Sequence, residues 1–341
     1  MRILVQRFSA LGDIMILLPI LQQLKAEHPE HEIALLSRPY IGTLCQDLGL
    51  QFYGAQLQKE HKGVLGLKRL VKELNRDFKP DLLIDAHSVL RTKIISKFFA
   101  LKGVPTESLH KDRQARKAFL ESPHPAQAAL TPMSQLHLET FARQNISISF
   151  NREKIKAAPY HLSEEHLQWW EESKAERNIG IAPGARHKSK EWPREKFIAL
   201  LKDLKRPERK FFIFGGPDEV EGLRELAEAA EVAFEIVAGK LKLDQEIALM
   251  KHLNVFLSHD SSNMHMAAWS ACPVVSIWGG THPGAGFAPY ANEAHMVSLE
   301  PGTLDCQPCS IFGTSTCKRG DFACMQDLEV SKVAQKVNSL L

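Results

Sequence analysis

The sequence predicts an α/β protein of two Rossmann-like domains, each with a parallel sheet covered by helices on both faces. Short apolar segments typical of strands alternate with helical segments along the chain. This alternation stops at a polar stretch near the middle and then begins again. The length of 341 residues also exceeds what one hydrophobic core usually fills.

The first domain is expected at residues 1–155. Its candidate strands are at 3–5, 33–37, 82–85 and 146–150, and its first two helices are at 14–28 and 64–78. In the second helix, apolar residues recur at three- and four-residue spacing and predict one buried stripe, formed by Val64, Leu67, Val71, Leu74 and Phe78.

A linker with one helix is expected at 156–177, and a second domain at 178–326. The second domain repeats the pattern, with strands at 179–182, 211–214, 234–237, 255–258, 274–278 and 296–299 and helices at 195–204, 220–230 and 244–252. A last helix at 328–341, in the terminal segment 327–341, has an apolar face that we expect to pack back on the first domain.

Composition excludes several classes of protein. A hydrophobic fraction of 44% and a charged fraction of 24% are those of an average globular protein. The longest apolar run, residues 14–21, is too short to cross a bilayer, and the N-terminus does not resemble a signal peptide, so we expect a cytoplasmic protein. A net charge of +3 is too small to indicate a nucleic-acid partner.

A Gly-Asp pair lies directly after the first predicted strand. Gly12 is expected to let the backbone turn tightly and approach the donor closely, and Asp13 stands at a helix start, where the helix dipole favours a carboxylate. Asp13 is the candidate catalytic base. The alternative is that it only caps the helix.

Two loops of the second domain have the residues of an anion site. In residues 182–193 several cations crowd one loop, and Lys190 is suited to bind a diphosphate as a point charge. In residues 258–268 a strand ends and a helix begins, so free N–H groups can bind an anion beside Asp260, Ser261, Ser262 and His265. Gly215 and Gly216, after another strand, permit a nucleotide to lie against the backbone. Capping without a ligand is the alternative for the helix start.

Basic residues of the first domain are candidates for the acceptor side. Arg91 follows Asp85 and His87, and a denser cluster comprises Lys111, Arg113, Arg116 and Lys117. Such cations suit a phosphorylated substrate or an anionic membrane surface. The alternative for the cluster, and for the basic residues at 59–76, is an ordinary solvated surface.

Five motifs in order along nearly the whole chain resemble the ADP-heptose:lipopolysaccharide heptosyltransferase family of inverting glycosyltransferases. They are residues 11–13, 190–193, 214–216, 241–243 and 260–268. The resemblance implies a GT-B fold, in which two Rossmann-like domains face each other across a cleft, with the acceptor in the first and the donor nucleotide in the second. This chain departs from the family at Ser262, where the family usually has Gly. If the backbone there requires positive φ, the serine is strained.

The resemblance implies transfer of a heptose or related sugar, with ADP-heptose as donor and the lipopolysaccharide inner core as acceptor. It implies that Asp13 is the base, Lys190 the phosphate-binding lysine and residues 260–265 the diphosphate site. The acceptor is then an anionic lipid-linked glycan, so the protein is expected to contact the inner membrane peripherally. No Asp-x-Asp motif is present, which favours a mechanism without a required cofactor or metal; Asp260 and Asp305 are the alternative Mg²⁺ ligands.

Two other functions fit the same fold. A non-catalytic nucleotide-sugar binding protein would keep Lys190 and the loop at 261–265 but would not need Asp13. A nucleotide-sugar epimerase would form product without an acceptor. A dehydrogenase is disfavoured because neither half has the glycine fingerprint after its first strand.

Four of the six cysteines lie in one 19-residue segment: Cys306, Cys309, Cys317 and Cys324. Their spacing is compatible with a tetrahedral thiolate site for Zn²⁺, with reduced thiols or with a disulfide, and the sequence leaves all three open. The segment is expected to lie away from the chemistry. Cys45 and Cys272 are expected to be buried.

Overall fold

The computed structural model describes residues 1–122 and 128–341 and divides them into two compact units. Unit 1 comprises Met1–Lys111 and Met133–Asn151, and unit 2 comprises Asp112–Pro132 and Arg152–Leu341. Within the described ranges, no helix has both the length and the apolar character needed to traverse a bilayer.

Unit 1 contains one five-stranded parallel sheet. Its strands are β1 (Arg2–Gln6), β2 (Glu32–Ser37), β3 (Gln51–Gly54), β4 (Leu82–Asp85) and β5 (Thr106–Ser108), in the order β3-β2-β1-β4-β5. Its helices are α1 (Leu11–Glu27), α2 (Gly63–Asp77), α3 (Leu90–Ala100) and α5 (Met133–Ala142); α4 (Arg113–Glu121) belongs to unit 2. Short 3₁₀ turns occur at Pro39–Leu44 and Gln46–Leu48.

The apolar stripe of α2 is largely as predicted. Leu67, Val71 and Leu74 are buried against the sheet together with Leu70, which the prediction omitted. Val64 was wrongly included, since its side chain is 57% exposed at the first turn of the helix.

The predicted strand at 146–150 is wrong, and strands β3 and β5 were missed. The backbone at 147–149 is bound by side chains of the end of α1 and not by a sheet. His28 contacts the carbonyl of Ser147 through Nε2 at 2.9 Å, and the N–H of Ser149 donates to the carboxylate of Glu27. The missed strands have four and three residues, too few to show an alternating pattern.

Unit 2 contains one six-stranded parallel sheet. Its strands are β6 (Arg177–Ala182), β7 (Arg209–Ile213), β8 (Phe234–Ile236), β9 (Val255–His259), β10 (Val274–Ile277) and β11 (Met296–Val297), in the order β11-β10-β9-β6-β7-β8. Its further helices are α6 (Glu164–Ser173), α7 (Arg194–Leu204), α8 (Val220–Ala230), α9 (Leu243–Met250), α10 (Ser262–Trp269), α11 (Ala323–Gln326) and α12 (Val330–Asn338). Short 3₁₀ turns occur at Lys188–Lys190, Pro283–Ala285 and Glu293–His295.

The last helix packs within unit 2, so its predicted return to the first domain is wrong. Val333 and Val337 of α12 are completely buried in the core beside α7 and β10. The apolar face was predicted correctly, but periodicity does not identify the surface that covers such a face.

The boundary predicted at residue 155 is also corrected, because α4 and the residues around it join unit 2. The ring of Phe119 contacts that of His282 with centroids 6.0 Å apart, and the N–H of Leu130 donates to the carbonyl of Gly284 at 2.7 Å. These contacts tie the segment to unit 2 although its neighbours in sequence, on both sides, belong to unit 1.

Candidate active site

Asp13 lies in the first turn of α1, directly beyond the end of β1. Its Oδ2 accepts from the backbone N–H of Ala10 at 3.1 Å and lies 2.8 Å from Nη2 of Arg7. Burial opposes ionisation, but the Arg7 charge and the Ala10 N–H outweigh it and hold the pKa of Asp13 below its usual value. Asp13 therefore caps the helix and is also an ionised carboxylate in a buried ion pair. Gly12 is helical and does not have positive φ, so the tight turn predicted there is wrong.

His87 follows β4 and contacts the chain that precedes Asp13. The N–H of Phe8 donates to its Nδ1 at 3.4 Å, which leaves Nε2 to carry the proton toward Ser9 Oγ at 3.3 Å. Burial, with the nearby charges of Arg7 and Lys111, lowers the pKa of His87 to about 4. The imidazole is thus neutral at physiological pH.

Two predicted acceptor-side cations lie near His87. Lys111 donates from Nζ to the carbonyl of His87, and Arg91, exposed in the first turn of α3, adds to the positive potential at that ring. They belong to the same unit as Asp13.

His137 of α5 is a further buried group near Asp13. It is 1% exposed, and neither ring nitrogen has a hydrogen-bond partner among the described residues. Burial and the charge of Arg7 lower its pKa to about 3, while Asp13 acts in the opposite direction. The ring is therefore a neutral, unsatisfied polar group beside the candidate base.

Lys190 and Asp260 form an ion pair in unit 2. Nζ of Lys190 lies 2.7 Å from Oδ2 of Asp260 and also donates to its backbone carbonyl at 3.2 Å. The hydroxyl of Thr281 donates to the same Oδ2 at 2.8 Å. The two charged side chains are only 13% and 9% exposed. Asp260 therefore fixes the position of the Lys190 ammonium.

The start of α10 provides backbone N–H groups directly after Asp260. Ser261 is the N-cap and its hydroxyl contacts that of Ser258 at 2.9 Å, while His265 is 3% exposed in the first turn. Ser262 is the first residue of the helix and is not among the residues of positive φ. A serine is thus accommodated there without the strain that the departure from the family pattern suggested.

Gly215 and Gly216 follow β7 and lie against the carboxylate of Glu219. The N–H of Gly216 donates to Oε2 of Glu219 at 2.6 Å. A Cβ added at Gly184 would lie 2.5 Å from Oε1 of the same carboxylate. Glycine at these positions thus leaves room for the carboxylate of Glu219 at the carboxyl ends of β6 and β7.

A buried histidine, His259, is hydrogen-bonded to the loop that contains Lys190. Nε2 of His259 accepts from the N–H of Trp192 at 2.9 Å, and burial lowers the pKa of His259 to about 4. Trp192 is 1% exposed and donates from Nε1 to the carbonyl of Leu328. Trp192 is therefore a core residue, as expected.

The predicted basic cluster is divided between the two units. Lys111 belongs to unit 1, whereas Arg113, Arg116 and Lys117 lie on α4 in unit 2. The guanidinium of Arg116 lies over the ring of Phe312, 5.3 Å from its centroid, and Lys117 is 3.8 Å from Glu121. Placing all four in the first domain was wrong, because sequence proximity does not decide which core covers a helix.

The cysteine segment is connected to the Lys190 loop, which corrects the expectation that it lies away from the candidate site. The N–H of Ser189 donates to the carbonyl of Thr314 at 3.0 Å, and the N–H of Thr314 donates to Ser189 Oγ at 2.8 Å. A Cβ added at Gly313 would lie 2.8 Å from Cε of Lys190.

Sequence reasoning missed Arg7, His137, Thr281 and Glu219. Arg7 had a signal, because a charged residue directly after a strand of buried apolar residues needs a partner. His137 and Thr281 had none, since each approaches the site from an element distant in sequence.

Comparisons with known proteins identify the family of the chain. The model of the family described as glycosyltransferase family 9 (heptosyltransferase) matches residues 68–313. The chain belongs to this family. It is therefore a glycosyltransferase, as predicted.

Relatives of this glycosyltransferase share little sequence but much of its length. Lipopolysaccharide heptosyltransferase 3 of Escherichia coli is 22% identical over 284 residues, which cover 79% of this chain and 81% of the relative. A family 9 glycosyltransferase from Veillonella parvula superposes with a TM-score of 0.79 at 19% identity, covering 99% of this chain and 96% of the other. The E. coli heptosyltransferase WaaC with ADP superposes with a TM-score of 0.70 at 16% identity, with both chains fully covered. The GT-B fold predicted from the sequence is confirmed.

Proposed function

We propose that this glycosyltransferase transfers a heptose from ADP-heptose to an inner-core acceptor of lipopolysaccharide, with inversion at the anomeric carbon. The observation that carries the proposal is Asp13, an ionised carboxylate at the end of the first strand. The donor and acceptor are supported by relatives that are named as lipopolysaccharide heptosyltransferases and by a similar heptosyltransferase that was solved with ADP.

Asp13 has the geometry of a general base that is held by one of its two oxygens. Both Arg7 and Ala10 contact Oδ2, and no described residue donates to Oδ1. Oδ1 can accept the proton of an acceptor hydroxyl while the hydroxyl oxygen forms its bond to the anomeric carbon. The bond from this carbon to the diphosphate oxygen breaks at the same time, and ADP leaves with the electron pair.

The leaving diphosphate requires stabilisation of its negative charge. The N–H groups at the start of α10 and the helix dipole can bind an anion there, and Lys190 adds a positive charge held in place by Asp260. The nucleotide is proposed to lie against the backbone at Gly215 and Gly216, beside the carboxylate of Glu219. Among the predicted donor-binding residues, Asp260 thus acts through Lys190 and is a positioning residue.

The proposed mechanism uses no metal ion. An Mg²⁺ at Asp260 would have to displace the Lys190 ammonium from Oδ2, which would cost the buried ion pair. Asp305, the alternative ligand, is exposed in the long loop after β11.

On the acceptor side, we propose that Arg91 and Lys111 recognise anionic groups of the glycan near His87. Arg113, Arg116 and Lys117 are proposed to bind the same anionic lipid-linked acceptor, or the inner-membrane surface that carries it, from α4. The cationic character of all five residues supports this assignment.

The test is transfer from ADP-heptose to lipopolysaccharide precursor that lacks heptose, by wild type and by Asp13→Asn. We expect the variant to lose about two to four orders of magnitude in kcat, because a general base contributes about that factor. ADP affinity should be unchanged, and NMR of the wild-type product should show an inverted anomeric centre. Asp81→Asn is the matched control, since Asp81 pairs with Arg2 at the surface.

Three outcomes would contradict the proposal. Turnover of Asp13→Asn within a few-fold of wild type would exclude Asp13 as the base. Tight donor binding without any transfer would indicate a nucleotide-sugar binding protein, and an altered sugar nucleotide formed without acceptor would indicate an epimerase.

A further inference from the structure

Four cysteines of unit 2 line one small cavity in a loop that the proposed reaction does not use. Cys306, Cys309, Cys317 and Cys324 border a cavity of about 20 Å³ together with Ser189 and Gly280, and none of the four is in a disulfide. The volume is close to that of one atom-sized ligand. A set of four soft sulfur donors is the ligand set of tetrahedral zinc or iron.

Three of these cysteines lie in a long irregular loop, and Cys324 lies on α11, the helix that follows it. Between β11 and α11, residues 298–322 contain no helix or strand. Loops of more than about 12 to 15 residues without regular structure are uncommon in compact domains unless something orders them. Of its five large apolar side chains only Ile311 is buried, while Leu299, Leu304 and Phe322 are partly buried and Phe312 is exposed, so a cross-link would add to the order that packing supplies.

The backbone N–H groups of Arg319, Gly320, Asp321 and Phe322 lie near the sulfur of Cys317 and can donate to a metal-bound sulfur. Lys318 lines the same cavity and can offset part of the charge of a site with four thiolates.

We infer that Cys306, Cys309, Cys317 and Cys324 form a structural site for one divalent transition-metal ion, zinc or iron, which orders the loop that supports Lys190. No three of the four sulfurs lie within 4.8 Å of one another in this structure. Metal–sulfur bonds of about 2.3 Å therefore require the side chains to rotate toward a common centre.

The link from this site to Lys190 is a set of backbone hydrogen bonds. The N–H groups of Cys309 and Ser310 donate to the carbonyl of Gly280 at 3.0 and 3.1 Å. The N–H of Gly280 donates to the carbonyl of Ser189 at 2.7 Å, and Thr314 holds Ser189 from the other side. Ordering the cysteine loop thus orders the residue next to Lys190.

The first test is the metal content of the full chain purified under reducing, anaerobic conditions and offered Zn²⁺ or Fe²⁺. We expect about one ion per chain, with a shell of four sulfurs at about 2.3 Å in X-ray absorption at the edge of the metal found. Cys306→Ser and Cys317→Ser should each reduce the content at least tenfold. Cys45→Ala and His31→Gln should retain it; His31 belongs to a His28–Glu30–His31 group that is a competing metal site.

Three results would overturn the site. The first is that the wild-type chain binds neither ion. The second is that the ion is lost with His31→Gln and kept with Cys317→Ser. The third is that fewer than six thiols react in the denatured, unreduced protein, which would indicate a disulfide. None of these readouts uses activity, so they do not depend on the proposed function.

The second test addresses the link to Lys190 by hydrogen exchange of wild type before and after chelation. Metal removal should increase exchange at residues 186–191 and 309–314 and leave α1 of unit 1 unchanged. Unchanged exchange at 186–191 would overturn the role of the ion in ordering the Lys190 loop.

Discussion

At the scale of single residues, the ion pair of Asp13 with Arg7 determines the charge of the proposed base. The pair keeps the carboxylate ionised, but a carboxylate of lowered pKa is also a weaker base. In the proposed mechanism the contribution of Asp13 comes from its position and from accepting a proton that the attacking hydroxyl is already losing. The neutral imidazoles of His87 and His137 provide hydrogen-bonding groups beside it without adding charge.

This arrangement predicts the pH dependence of the rate. The pKa of Asp13 is below 3.8, and those of His87 and His137 are about 4 and about 3, so none of the three changes charge near neutrality. Because Asp13 is active when ionised, kcat should fall only on acidification through its lowered pKa. We expect a flat profile between about pH 6 and 8 with saturating substrates. An acidic limb centred above about pH 6 would show that the working base has a raised pKa.

The pair of Lys190 and Asp260 predicts coupled effects on nucleotide binding. Lys190→Ala should weaken the binding of ADP more than the binding of adenosine. The difference between the two affinities should shrink at high salt because the effect is electrostatic. Asp260→Asn should also weaken ADP, because it releases the ammonium. In calorimetry, the loss of ADP binding free energy in the double variant should be smaller than the sum of the two single losses by about 0.5 to 3 kcal/mol. Additive losses would mean that the residues act independently.

At the scale of elements, parallel strands bring the candidate residues to defined ends of each sheet. Asp13 follows β1, His87 follows β4, and Asp260 follows β9. In a parallel sheet the carboxyl ends of the strands share one edge, so short loops there converge on a ligand. The helices α1 and α10 begin at these edges and direct their N-terminal dipoles to the same places.

The basic face of α4 predicts a selective effect on the acceptor. Arg113→Gln with Lys117→Gln removes two exposed cations and leaves Arg116 on Phe312 and Lys111 on His87. At about 1 kcal/mol for each cation near an anionic surface, we expect the acceptor KM on anionic vesicles to rise roughly 30-fold, with the donor KM unchanged.

The control for this prediction is Lys68→Gln with Lys72→Gln, which makes the same charge change on exposed positions of α2. An equal rise in the control would indicate a general charge effect. A rise in the control alone would place the acceptor contact on α2.

At the scale of the whole molecule, each unit has a core of its own, and chain order does not decide which core a segment joins. The segment with α4 joins unit 2 and then the chain returns to unit 1 for α5. The C-terminal α12 closes the core of unit 2 beside α7. A destabilising substitution in α12 should therefore lower the stability of unit 2.

Val337→Ala should lower the free energy of unfolding of unit 2 by about 1.5 to 3 kcal/mol, from lost burial and the remaining cavity. Hydrogen exchange should increase in α7 and stay unchanged in α1. Val64→Ala, the same substitution at a 57% exposed position, should change stability by no more than about 0.5 kcal/mol. Faster exchange in α1 of the Val337 variant would show that α12 also stabilises unit 1.

The sequence by itself determined most of the element order and the places of the main motifs. Apolar runs and helical periodicity are local properties, so the strands at 82–85 and 255–258 and the helix at 220–230 could be predicted from neighbours in sequence. The same holds for Asp13 at a helix start and for Ser261 as a helix cap. The resemblance over five motifs then predicted the family, which the family match confirmed.

The tertiary structure alone decided how those residues are paired and which core each segment joins. Asp260 is 70 residues from the lysine that it holds, and Thr314 is 125 residues from the serine that it supports. The unit to which α4 belongs and the surface that covers α12 were decided in the same way. These outcomes depend on the packing of distant segments against one another, and a periodic pattern specifies only that a face is apolar, not what will bury it.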